Sequence, residues 1–249
     1  MTWITVNFPF LSESAKSKVN AFVTCRGNGV SKDPYCSFNL ASHVQDDKEH
    51  VVVNRAILRD ELKLPSEPYW LRQTHSTQVL DVPFEFRPGI EADASFTQQS
   101  QKVCVVLTAD CLPLLIVNDE ATEVAAIHAG WRGLKDGIIT KTISRMQSKP
   151  TSLNVYLGPA IGPSAFEVGE DVKQAFAERS TDFAVCFAKT KNENKFMADL
   201  YALAKIEMSE LGVTKISGGD YCTYAEKGRF FSYRRDGQTG RMASLIWLS

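Results

Sequence analysis

Three short segments concentrate the donor chemistry of this chain: Arg72-Gln73-Thr74-His75-Ser76, Thr108-Ala109-Asp110-Cys111-Leu112-Pro113 and Ile127-His128-Ala129-Gly130-Trp131-Arg132-Gly133. Each sets a nitrogen or sulfur donor, namely His75, Cys111 or His128, beside a turn. One thiolate and two imidazoles suit a borderline-soft, tetrahedral ion such as zinc, and three protein ligands leave the fourth position for water or substrate. The gaps of 36 and 17 positions between the donors match no short metal motif. Spacing therefore leaves a second reading open, with Cys111 a buried small hydrophobe and the two histidines merely hydrogen-bonded. Gly130-Trp131-Arg132-Gly133 lies where a strand passes into a helix, which suits an anion such as phosphate or an ordinary glycine-containing connection. Arg234, Arg235 and Arg241 gather around one turn, as a second anion-recognising surface or a charged tip. Asn39, His43 and Asp46-Asp47 form a polar cluster whose default reading is a solvated loop.

Periodic elements must hold these segments in place. Apolar residues at 53, 57, 58 and 62 predict a helix over Val51 to Leu62, ending before Pro65. Trp70 to His75 reads as extended, and Val103 to Thr108 as a buried, β-branched strand. Leu114 to Asn118, Glu123 to His128 and Asn154 to Leu157 read as further strands. Apolar residues at 134, 138, 139, 143 and 146 predict one helix after Gly133, and Val168 to Phe176 and Met197 to Leu211 have the same spacing. Arg229 to Arg234 and Met242 to Leu248 flank Asp236-Gly237-Gln238-Thr239-Gly240 and are expected to form a hairpin. Interleaved helices and strands, with several strands in direct succession, predict an α+β fold with a mixed sheet.

The 249 residues carry 28 Lys+Arg against 29 Asp+Glu, a net charge of −1, which excludes a broad basic field for nucleic acid or acidic lipid. At 44% apolar and 23% charged the composition is that of a soluble globular protein, and with no linker or repeat to divide it, residues 1–249 are expected to form a single domain. No run approaches the roughly 18 apolar residues of a membrane helix, and Met1 to Lys16 lacks the basic start of a leader, so a cytoplasmic protein is expected. Six cysteines without a CxxC pair argue for reduced thiols.

The ordered set Ser37-Phe38-Asn39-Leu40, Asn54-Arg55, Gln73-Thr74-His75, Ala92-Asp93, Thr108-Ala109-Asp110-Cys111-Leu112-Pro113, His128-Ala129-Gly130-Trp131-Arg132-Gly133, Gly158-Pro159-Ala160-Ile161-Gly162 and Tyr233-Arg234-Arg235-Asp236 through Gly240-Arg241 resembles the laccase-domain family. That family is also called the purine nucleoside phosphorylase or polyphenol oxidase family, and it includes the bacterial peptidoglycan editing factor. The resemblance spans nearly the whole chain. It implies a single-domain α/β sandwich similar to cytotoxic-necrotizing-factor-like cysteine hydrolases, with His75, Cys111 and His128 as zinc ligands. On this reading Cys111, His128 and Arg132 serve catalysis, and Arg72, Arg241 and Asn39 meet the substrate.

Three activities follow from the resemblance. Phosphorolysis of adenosine, inosine and methylthioadenosine, with deamination of adenosine, is coherent with an open zinc site and arginines for phosphate. Hydrolysis of peptidoglycan precursors would instead use Cys111 as nucleophile and His128 as base, and a thiolate tied to zinc is less free to attack. Copper-dependent phenol oxidation fits least, because a multicopper oxidase needs roughly ten imidazole ligands and the chain has 4 histidines; copper in this pocket would be adventitious. Purine nucleosides and phosphate are the expected partners of a monomer, with neither nucleic acid nor membrane.

Overall fold

Apolar runs buried on both faces dominate the middle of the chain, and they build two sheets stacked on one another. The computed structural model describes residues 3–82 and 89–249. Its strands are β1 (Trp3–Thr5), β2 (Val19–Thr24), β3 (Val79–Asp81), β4 (Ala94–Thr97), β5 (Cys104–Thr108), β6 (Leu112–Asn118) and β7 (Val124–Ala129), followed by β8 (Leu153–Leu157), β9 (Glu167–Gly169), β10 (Phe187–Lys189), β11 (Lys195–Ala198), β12 (Lys215–Gly218) and β13 (Met242–Leu248). The helices are α1 (Glu13–Lys16), α2 (Lys48–Leu62), α3 (Trp131–Lys135), α4 (Ile138–Arg145), α5 (Glu170–Ala177), α6 (Leu200–Glu210) and α7 (Tyr233–Asp236).

One sheet is antiparallel, in the order β1-β2-β13-β5; the other is mixed, in the order β12-β8-β6-β7-β4-β3, with parallel pairs at its two edges. A small antiparallel sheet of β10, β11 and β9 lies beside them. Strand alternation sorts the side chains into layers. Cys104, Val106, Leu115, Val117, Ala126 and Ile246 fill the space between the two large sheets. Val103, Val105 and Leu107 point the other way, to Phe38, Leu40 and Leu58 beneath α2. Leu114, Ile116 and Ile127 pack under Leu134, Ile139, Val172 and Leu203 of the opposite helical layer. The result is an α/β sandwich with helices on both outer faces, the α+β class expected. Double coverage explains why β5, β6 and β7 read as unbroken apolar runs.

Several expected elements are re-cut by tertiary contacts. Asp47 caps α2 by accepting from Glu49 N at 2.8 Å, but the face it buries is Val51, Asn54 and Leu58, and Val53 stays exposed. The helix after Gly133 is two helices, broken at Gly137, where φ is 81°. The segments starting at Val168 and Met197 begin as strands, the second passing into α6 at Asp199, whose carboxylate accepts from Tyr201 N and Ala202 N.

The hairpin over 229–248 does not form. Phe230 and Phe231 are both fully buried, so the segment has no solvent face to alternate with. Arg235 donates to the carbonyls of Thr223, Tyr224 and Phe230 and folds it into a compact loop, and Ser232 caps α7. β13 pairs instead with β2 and β5.

Candidate metal and catalytic site

Between the end of β5 at Thr108 and the start of β6 at Leu112, three residues carry the chain from one large sheet to the other. Asp110 takes φ 95° in that crossing, a conformation costly for a side-chain-bearing residue. Its carboxylate holds the turn by accepting from Thr223 Oγ1 at 2.5 Å and Arg234 N at 2.7 Å. Cys111 is thereby presented at the end of the mixed sheet. His128 lies opposite Pro113 in the β6–β7 register, one position from the Leu112–Ala129 pair. His75 comes from a loop and adopts φ 60°.

The three donor atoms lie within 4.8 Å of one another. Cys111 Sγ is 3.8 Å from His75 Nε2, and the two imidazoles meet edge to face with centroids 4.8 Å apart. Exposure is graded, with His128 buried, Cys111 half-buried and His75 exposed, so the trio opens outward. Gly130 completes the cradle, since a Cβ there would stand 2.9 Å from Cys111 Sγ and 3.0 Å from His75 Cδ2.

Asp93, fully buried, organises the trio. Its Oδ1 accepts from His128 Nδ1 at 2.7 Å and from His75 N at 3.0 Å. Its Oδ2 accepts from Thr74 N at 3.2 Å and from Ser76 N and Oγ, both at 2.7 Å. Burial alone would raise the Asp93 pKa, but the hydrogen bonds from His128 and Ser76 overcome it and hold the group below the ordinary aspartate value. With Nδ1 donating to this carboxylate, His128 turns Nε2 toward the trio, where loss of its proton would free the lone pair for an ion, the usual buttress of a metal-binding imidazole.

Burial would likewise raise the Cys111 thiol and lower His128. Their mutual attraction outweighs it, with His75 assisting the thiol and Asp93 the imidazole: Cys111 falls to about 6 and His128 rises to about 9. Without metal, a thiolate faces an imidazolium. The sulfur is already in the form a metal needs, and binding an ion would displace the His128 proton. The donor set, the cradle and the buttress fit a metal ion.

A cavity of about 560 Å³ opens over the trio. Leu107, Ile161, Phe166, Trp131 and Tyr233 give it apolar and aromatic walls, and Arg132, Arg234 and Arg241 line it with positive charge. A larger hollow of about 1050 Å³ near Trp3, Tyr221 and Arg229 contains none of the trio.

The structure brings together His75, Cys111, His128, Arg132 and Arg241, as the sequence suggested, but not Arg72 or Asn39. Arg72 does not line the cavity, and its guanidinium meets Glu91 at 3.0 Å. Asn39 is fully buried, accepting from Ala41 N and Arg241 N and donating to Asp46 Oδ2, so its amide braces Arg241 from behind. Asp110 lines the cavity with both carboxylate oxygens committed to Thr223 and Arg234.

Sequence reasoning missed two residues here. Asp93 stood in the motif Ala92-Asp93 without a role; its signal was an acid flanked by apolar residues at the start of a strand. His43, read as part of a solvated loop, reaches the cavity wall because the Tyr35 hydroxyl pins its loop through the Val44 carbonyl. No local pattern marks it.

A sheet-on-sheet α/β sandwich with a His-Cys-His cluster beside the sheet-to-sheet crossing defines a class of proteins with a buttressed, open site that could hold a metal ion. The chain belongs to the multi-copper polyphenol oxidoreductase laccase family, whose model matches residues 20–249. It is 48% identical to the purine nucleoside phosphorylase of Haemophilus influenzae over 92% of this chain and 94% of that one. With the purine nucleoside phosphorylase of Pseudomonas aeruginosa it shares 42% identity over 99% and 98% of the two chains. Among solved structures, a Neisseria meningitidis protein superposes with a TM-score of 0.93 at 43% identity, covering 100% of both chains. YlmD from Geobacillus stearothermophilus superposes with a TM-score of 0.90 at 27% identity, covering 100% of this chain and 96% of that one. No helix among the described residues is long and apolar enough to cross a membrane.

Proposed function

We propose that this chain is a zinc-dependent purine nucleoside phosphorylase that also deaminates adenosine, acting as one catalytic domain and as a monomer in the cytoplasm. The observation that carries this reading is the open His75–Cys111–His128 trio at the base of a cavity with aromatic walls and three arginines, in a chain that shares nearly half its residues with a protein named purine nucleoside phosphorylase. Those three residues would hold the ion, and one thiolate with two imidazoles favours zinc. When bound, zinc supplies Lewis acidity and lowers the pKa of water. Substrates would be adenosine, inosine and methylthioadenosine.

The chain's own groups supply the rest. Phe166, Trp131 and Tyr233 offer faces for a purine ring, and Tyr233 is exposed at the cavity wall. Arg132 lies over the Trp131 ring and has no carboxylate partner among the described residues, so its charge is available to an anion. Arg234 is steadied over Phe166 and donates to the Glu167 carbonyl. Asp93 fixes the orientation of His128, and neither Arg72 nor Asn39 is assigned a substrate contact.

The test is product chromatography after incubating metal-quantified protein with adenosine, with and without phosphate. Adenine and ribose 1-phosphate are expected only with phosphate, and inosine without it; phenol oxidation tracking stoichiometric copper, with no nucleoside turnover, would overturn the reading. A second reading, a hydrolase of peptidoglycan precursors, rests on one observation: Asp93, His128 and Cys111 also form an acid–imidazole–thiolate series. It predicts activity that survives chelation, whereas the zinc reading predicts that Cys111→Ala loses both metal and activity.

A further inference from the structure

Beyond Arg241 the cavity continues into a side compartment of about 320 Å³, and His43, Tyr233 and Arg241 border both spaces. Among the described residues no aspartate or glutamate lines the compartment; Gln45, Gln238 and Thr239 complete its polar wall. Arg241 is held rigidly at the junction: Nη1 donates to the carbonyls of Thr239 and Gly240 at 2.8 and 3.0 Å, and its backbone N–H to Asn39 Oδ1 at 2.9 Å. Among the described residues it has no carboxylate in ion-pair contact, and the charges of Cys111 and Asp110 across the cavity offset the burial of its guanidinium only in part. Thr239 is 1% exposed, and its hydroxyl has no hydrogen-bond partner among the described residues. A buried hydroxyl without a partner is costly in a folded protein. Burial, with the charges of Arg241, Arg55 and His128, lowers the pKa of His43, so near neutral pH its imidazole keeps one N–H without adding a full charge.

A donor-rich, carboxylate-free compartment with one fixed positive charge selects an oxyanion. The main cavity has the metal trio and the aromatic walls; the side compartment has neither. We propose that the side compartment is the subsite for a phosphate group, held by Arg241, Thr239 and His43, and that the group is the inorganic phosphate co-substrate. This rests on the phosphorylase reading above. It seats the nucleophile across Arg241 from the metal trio, so that a nucleoside spanning the junction offers C1′ to the phosphate. A phosphate oxygen would form the C1′–O bond as the C1′–N9 pair leaves with the purine, and the proton of hydrogen phosphate passes to that base, so atoms and charge balance.

The experiment is isothermal titration of the metal-loaded protein with inorganic phosphate and, separately, with adenosine 5′-monophosphate, in wild type, Thr239→Val and His43→Ala, with thermal melts alongside. Thr239→Val should weaken phosphate binding about tenfold or more, the loss of one charge-assisted hydrogen bond. Its melting temperature should hold or rise, because the hydroxyl removed has no partner among the described residues. His43→Ala should weaken phosphate as well, and Thr239→Val, whose residue lines only the side compartment, should leave inosine binding unchanged. Wild-type phosphate affinity in both variants, in an enzyme that still needs phosphate, would overturn the subsite and leave phosphorolysis standing. Sensitivity confined to the nucleotide would overturn the co-substrate assignment and give the compartment to a 5′-phosphate. If wild type neither binds phosphate nor makes ribose 1-phosphate, the phosphorylase reading itself fails.

Discussion

Asp93→Asn isolates the buttress from the donors. The replacement is nearly isosteric, yet an amide has one acceptor oxygen where five donors now converge. If the amide oxygen stays with His128 Nδ1 and His75 N, the amide NH₂ points at Thr74 N and Ser76 N, and only the Ser76 hydroxyl can turn to accept. Two backbone donors are then left facing a donor, at about 1–3 kcal/mol each, a loss of roughly 2–6 kcal/mol. Metal affinity should fall about 10- to 100-fold, as when the carboxylate behind a ligating imidazole is removed. Chelator-competition titration reads the affinity, and urea unfolding of the metal-free protein reads the stability. Because folding depresses the Asp93 pKa, its contribution is fully present above the unfolded value near 4 and is lost as pH falls below that through the folded value. The variant should therefore show a flatter acid limb in its stability–pH curve. Wild-type metal affinity together with an unchanged acid limb would refute the buttress.

Gly130→Ala should leave the fold intact, since φ there is −67°, but push Cβ against Cys111 Sγ and His75 Cδ2; metal analysis after dialysis should find less than one equivalent. Glu207→Ala should cost about 3–5 kcal/mol by stranding a largely buried cation, because the buried Glu207 carboxylate binds Arg179 at 3.1 Å and Thr140 Oγ1 at 2.7 Å; calorimetry should detect this with metal content unchanged. Arg72→Ala should leave phosphate and nucleoside KM at wild-type values, since the side chain pairs with Glu91 away from the cavity; steady-state kinetics checks it.

What could be read from the chain alone was whatever depends on near neighbours or on residue chemistry. β5, β6 and β7 are legible because a strand covered on both faces must be apolar throughout, and the body of α2 is legible from its apolar spacing, although its start at Lys48 lies three residues before the expected Val51 because Asp47, read as a loop residue, caps it through Glu49 N. Cys111, His75 and His128 were nameable as metal donors because thiolate and imidazole chemistry does not depend on the fold. Their convergence does depend on it: 36 and 17 positions of chain are cancelled by the sheet-to-sheet crossing at 109–111 and by the β6–β7 register. The same stacking made Asp93 the hub of the site, left Arg72 outside it, drew His43 and Thr239 together from opposite ends of the sequence and gave β13 to β2 and β5 in place of a local hairpin. Apolar periodicity states which face of an element is buried but not which other face it meets. Many faces are equally apolar, and only the simultaneous packing of both sheets and both helical layers selects among them.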